Sequence, residues 1–266
     1  GDDSRVRNAT VINSIFADSP GTGLQASSSV LRGNVFENNV TGLEIFNTNT
    51  VEDNVFRGNT SRGLHVNSGT STVRDNEITG TGIGIYFDAS GGNSTRIENN
   101  ILHGDLATGI RLDGTSGVDL RNNTIVLGAG AASGIELRNS VSNAEVENNI
   151  LVMGAGHALN YQGNALDSVE SDYNLVQLTG DAAFGMIDGR SFATHRDWHY
   201  AMREDDHSFE ADPRFVDAAT GDFRLLADSP AIDAGNPFNT YLAEALPNGG
   251  RVNIGAFGAI ETARTS

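Results

Sequence analysis

The chain has 266 residues, 38% of them apolar, and 32 glycines; it contains no cysteine, so no disulfide framework holds it together. Its formal net charge is −17, and all 17 basic residues are arginine, which disfavours nucleic acid and anionic membrane as partners. No apolar run reaches the length of a membrane span, and Gly1-Asp2-Asp3-Ser4 is no signal peptide.

From the N-terminus onward, one frame recurs. Ser14 occupies its first copy, in Val11-Ile-Asn-Ser14-Ile-Phe16, and asparagine follows at Asn34, Asn54, Asn76, Asn100, Asn123, Asn149 and Asn174, at spacings of 20 to 26 residues. Each up to Asn149 has an aliphatic residue three positions before it and another one or two after, as in Leu31-Arg-Gly-Asn34-Val-Phe36. A period of this size with short alternating strands marks a solenoid. Between the asparagine blocks lie glycine-led ones: Gly23-Leu-Gln-Ala26, Gly42-Leu-Glu-Ile45, Gly63-Leu-His-Val66, Gly84-Ile-Tyr-Phe87, Gly109-Ile-Arg-Leu112 and Gly134-Ile-Glu-Leu137. Each coil is thus expected to hold a Gly-led strand, a second strand ending near Asn and a short third one, with glycine turning the corner. The expected fold is all-β: a right-handed parallel β-helix of seven to eight coils with equivalent asparagines stacked, a short helical insertion and a C-terminal cap.

Past Asn174 the period fails. Residues 1–178 are read as coils, 179–210 as an insertion with a helix from Phe192 to Arg203 opened by Thr194-x-x-Asp197, and 211–266 as a closing segment, in one continuous domain. Nothing like a cap precedes Val6, so upstream sequence or a partner chain is expected to cover the first coil.

The coils resemble the right-handed β-helices of the pectate-lyase-like superfamily. Asp212-Pro-Arg-Phe-Val-Asp217, Ser229-Pro-Ala-Ile-Asp-Ala-Gly235 and Asn253-Ile-Gly-Ala-Phe257 resemble the tail of bacterial choice-of-anchor secreted β-helix proteins, with Asn253 and Gly258 where that pattern has acids. The resemblance implies a bacterial secreted or cell-surface protein acting on or holding polysaccharide, with a groove over the Gly-led sheet.

Period two places Gln25, Glu44, His65, Tyr86, Arg111, Glu136 and Asn160 outward on that sheet, and Ser27, Phe46, Asn67, Asp88, Asp113, Arg138 and Gln162 outward two residues on. The neighbouring strand reads as blander. Uronate elimination or epimerisation would use His65 or Tyr86 as base and Arg111 to hold the sugar carboxylate, with Glu44, Asn67, Asp88, Asp113, Glu136 and Arg138 binding substrate. Asp88 and Asp113 could instead serve a glycoside hydrolase. Calcium could be held by Asp88, Asp113 and Glu136, and no organic cofactor is expected. The partner is then an acidic polysaccharide, and a non-catalytic surface or carbohydrate-binding β-helix is the competing reading. A lysine-dependent lyase is excluded, and His195 and His199 carry no metalloprotease motif.

Overall fold

The computed structural model describes residues 4–88, 92–163, 168–240 and 249–258. Eight three-stranded coils stack in parallel, from Arg5–Arg7, Thr10–Ile12 and Ile15–Ala17 to His157–Tyr161, Val169–Asp172 and Leu175–Leu178. The molecule is a right-handed parallel β-helix with three long sheets, a short helix and a closing segment. The Gly-led strands form the first sheet, the strands before each ladder asparagine the second, and those after it the third.

Alternation along each strand sends Leu24, Leu43, Leu64, Ile85, Ile110, Ile135 and Leu159 inward, where all are buried. Phe16, Phe36 and Phe56 stack down the axis with centroids 5.2 and 4.9 Å apart. The glycines that lead the first-sheet strands do not adopt left-handed backbone. A Cβ at Gly23, Gly42, Gly63, Gly84, Gly109 or Gly134 would lie 2.6–2.8 Å from a carbonyl oxygen of the next coil, so close coil approach demands glycine there.

The asparagine ladder is continuous. The Asn54 backbone N–H and Nδ2 both donate to Asn76 Oδ1 at 3.0 Å, and Asn76, Asn100, Asn123 and Asn149 repeat the pattern to Asn174. Each amide is buried and fully partnered, the condition under which a polar core element stabilises. Two further ladders run beside it, Asn39 to Asn59 and Ser29 to Asn49 to Ser71 to Thr95. The main ladder ends on the insertion: Asn174 N–H donates to Ser208 Oγ and its Nδ2 to Asp205, which also accepts from Ser171, Ser208 and Trp198.

Parallel pairing runs beyond the boundary expected at residue 178. Ala183–Ile187 joins the first sheet and Phe209–Glu210 the third, with the helix His195–Met202 between them. Thr194 caps the helix, accepting from the Asp197 N–H. Trp198 packs against Gly185, whose missing side chain leaves the room: a Cβ would come within 2.1 Å of the indole.

The closing segment lies along the flank, against the third sheet. Ala231 and Ile254 pack on Ile150 and Leu175, and Phe223 and Ala256 on Ile101. Asn99, Asn122 and Asn148, each in left-handed backbone, hold it coil by coil through Gly258 and Ala256, Asn253, and Asn236 respectively. In the first four coils the same corner is Asn13, Gly33, Asp53 and Asp75.

Candidate functional site

The Gly-led sheet carries two outward columns in register. One reads Arg5, Gln25, Glu44, His65, Tyr86, Arg111, Glu136, Asn160. In the other, Arg7, Ser27 and Phe46 are paired, as are Asp113 and Arg138, with Asn67 and Asp88 between them in chain order. Sequence periodicity located these side chains, but their mutual bonds are a tertiary result.

His65 is buried and bracketed by acids: Nε2 lies 2.8 Å from Asp88 Oδ1 and Nδ1 3.3 Å from Glu44 Oε1. Both ring nitrogens thus face a carboxylate, and a neutral imidazole can donate to only one of the two. Glu44 also accepts from Gln25 Nε2 at 2.8 Å and Asn67 Nδ2 at 3.2 Å. Tyr86 sits 5.1 Å from the His65 ring under the Arg62 guanidinium, and its hydroxyl donates to Asp113 at 3.4 Å. Partial burial, then the Asp88 and Asp113 charges, raise the Tyr86 hydroxyl above its ordinary pKa, so it stays a phenol at neutral pH. Arg111 Nε donates to the nearly buried Glu136 at 2.6 Å, and Glu136 also accepts from Gln162 at 3.2 Å and lies 3.8 Å from Arg138.

The structure therefore divides the expected site. His65, Tyr86, Asp88 and Asp113 form one connected group with Glu44 and Asn67; Arg111, Glu136 and Arg138 form another. Asp88, Asp113 and Glu136, expected to share calcium, each turn to a different partner: His65, Tyr86 and Asn139, and Arg111. Among the described residues no three His, Cys, Asp or Glu side chains stand where they could hold one metal ion.

Sequence reasoning missed Arg5 and Arg7, the edge of the same two columns; their spacing of 20 residues from Gln25 and Ser27 is the signal. It also misjudged the second sheet, which is not bland. Two residues before each ladder asparagine stand Arg32, Glu52, Arg74, Glu98, Arg121, Glu147 and Asp172, all in register. Buried Glu52 is bonded by Arg32 above and Arg74 below, and Arg121 bonds Glu145.

Two family models match parts of this chain. One, described as a right handed beta helix region, matches residues 3–78; the other, described as periplasmic copper-binding protein (NosD), matches residues 47–166, and each spans less than half of the chain. No curated protein matches it. Among solved structures it is similar to pectate lyase Pel9A, at 15% identity and a TM-score of 0.46 over 91% of this chain and 76% of that one. It is also similar to QnrB1, a plasmid-mediated fluoroquinolone resistance protein, at 11% identity and a TM-score of 0.27 over 65% of this chain and 82% of that one.

Proposed function

We propose that this is an exported bacterial β-helix protein that binds an anionic polysaccharide along the Gly-led face. The observation that carries the reading is local charge. The face holds Arg5, Arg7, Arg62, Arg111 and Arg138 against Glu44, Asp88, Asp113 and Glu136, in a chain of formal charge −17. An acidic protein that binds an acidic polymer needs such a concentration of cations. The polar groups lie in register in columns at the coil spacing of roughly 4.8 Å, a regular array for a repeating polymer. The periplasmic description of the family matched at residues 47–166 supports export. No described helix is long and apolar enough to cross a membrane.

Binding is favoured over catalysis because the candidate bases are engaged. Both His65 nitrogens face carboxylates, and Tyr86 is held as a phenol, a proton donor rather than an acceptor. The second reading, a uronate lyase or epimerase, draws on the approach of the Tyr86 phenol to the His65 ring, which places an acid beside an imidazole. Copper, named in one family description, does not fit these residues. His65, His103 and His157 in the matched segment turn separately to Asp88, Glu77 and Ser191, and the chain has no cysteine.

The test is a panel of acidic and neutral polysaccharides, followed by affinity electrophoresis and by assay for new unsaturated or reducing ends. Retardation by acidic polymers without new ends is expected. New unsaturated ends would move the conclusion to the lyase, and retardation by none of them would end the polysaccharide reading.

A further inference from the structure

Arg62 opens the strand Arg62–Val66 inside the stack, its backbone in register with Thr41 on one neighbouring coil and Ile83 on the other. The same column continues through Thr22, Thr108, Ser133 and His157, so no carboxylate stands in line with it. That separates it from Arg32, Arg57, Arg74, Arg111 and Arg121, each of which bonds a carboxylate one coil away.

Half-buried, Arg62 turns instead onto Tyr86, its guanidinium 4.5 Å from the centre of the ring. Its Nε is buried there with no hydrogen-bond partner, and among the described residues its terminal nitrogens make no ion pair or side-chain hydrogen bond. A buried, unpaired N–H on a cation works against stability, and an apolar side chain at this corner would avoid it. What the stacking does is fix the guanidinium plane, with the two Nη groups as a preformed fork. The hydroxyl of the same ring donates to Asp113 Oδ2 at 3.4 Å, and Asn139 Nδ2 donates to Asp113 Oδ1 at 2.6 Å. Each carboxylate oxygen keeps a lone pair for a further donor. One tyrosine thus holds a cation at its face and an acid at its hydroxyl.

We infer that Arg62 and Asp113 together select a singly charged sugar of the bound polymer, a uronic acid with free hydroxyl groups. The Arg62 fork takes the sugar carboxylate in two parallel bonds, and Asp113 accepts from a ring hydroxyl. The inference rests on the reading of the Gly-led face as the polysaccharide surface. A neutral sugar leaves the fork without an acceptor. A sugar sulfated at its hydroxyls brings an anion against Asp113 and removes the donor that Asp113 would receive. The site therefore reads where the charge sits, and not charge alone.

Titration calorimetry on the whole chain tests this with galacturonic acid oligomers, their carboxyl-reduced counterparts, and the reduced oligomers after sulfation. The wild type should bind the uronic oligomers at least about tenfold more tightly than either of the others. Arg62→Gln should lose at least about tenfold in affinity for them. Arg62→Lys keeps the stem and the charge but not the fork, and should fall between the two; if the glutamine variant does not fold, the lysine variant decides. Arg57→Gln, on the third sheet, should bind as the wild type does. Asp113→Asn should narrow the gap between uronic and sulfated oligomers. Wild-type affinity in both Arg62 variants, or equal binding of uronic and sulfated oligomers by the wild type, overturns the inference while the face reading stands. An unchanged gap in Asp113→Asn overturns the part given to Asp113. A wild type that binds no uronic oligomer overturns both readings.

Discussion

The Gly-led face and the second sheet carry similar numbers of charges on the same scaffold and use them differently. On the second sheet Arg and Glu alternate coil by coil from Arg32 to Glu147, so Glu52, Arg74, Glu98 and Arg121 each lie between two opposite charges, and only the last pair, Glu147 and Asp172, breaks the order. Glu52, with 2% of its side chain exposed, is held by Arg32 and Arg74. At Glu52 that column is closed on itself, each guanidinium beside it spent on the same carboxylate. On the Gly-led face the order is irregular: a histidine, a tyrosine, a phenylalanine and amides interrupt the charges, and two arginines at the edge have no described partner. The difference teaches that stacked charge on a solenoid is self-neutralising by default. Departure from alternation is the informative feature.

Breaking the closed column should cost most. Glu52→Ala removes the acid from between two guanidinium groups and leaves like charges two coils apart across a buried gap, so denaturant unfolding should show a loss of about 2 kcal/mol. The figure lies below the value for a fully buried pair because both arginines are about half exposed. Glu44→Ala on the other face should cost clearly less, and equal losses would erase the distinction between the two faces.

The second sheet should also respond to pH. Burial, against nearby arginines, raises the Glu98 carboxyl; burial, then the neighbouring Glu145, raises that of Glu147. A group raised in the folded state binds its proton more tightly there than in the unfolded chain. Its stabilising contribution is therefore full below the unfolded glutamate pKa and is lost as pH rises through the folded one. Melting temperature should rise as pH falls from 7 toward about 4.5, near that unfolded value. Glu98→Gln with Glu147→Gln should flatten the slope; an unchanged slope would remove these two groups as its source.

Arg111→Ala sharpens the comparison from the other side. An ordinary exposed arginine would cost within roughly 0.5 kcal/mol. Arg111 anchors Glu136, of whose side chain only 7% is exposed, so about 1 kcal/mol is expected by thermal unfolding. Affinity for acidic polysaccharide should fall with it, whereas a binding surface that ignores Arg111 would leave affinity intact.

Smallest is Tyr86→Phe. Its hydroxyl makes one long bond, at 3.4 Å, so stability should change by less than about 0.5 kcal/mol and polysaccharide retention should persist. Any bond-cleaving activity should vanish in this variant if Tyr86 is the proton donor.

Much of the fold was legible because each coil repeats the same demands. Asn54, Asn76 and Asn100 recur where an amide oxygen must accept from the preceding coil's corner N–H. Part of what was missed was also written in the repeat. The Arg32-to-Asp172 column stands two residues before each ladder position, and Asn99, Asn122 and Asn148, one residue before, stand in the coils that the closing segment covers. The ladder's ending was not legible: Asp205 lies 31 residues beyond Asn174, and only the fold-back of the helix brings it there.

The sequence by itself determined the coil, its period and which side chains face outward, because alternation and stacking are local rules repeated eight times. Only the tertiary structure decided which outward groups are spent on one another. Loops of unequal length set the coil register, and register puts Asp88 on His65, Glu136 on Arg111, and nothing described on Arg5 and Arg7. A hydrogen bond or ion pair forms over about 3 Å, so the difference between a structural pair and a free binding group is fixed by packing that no single coil contains.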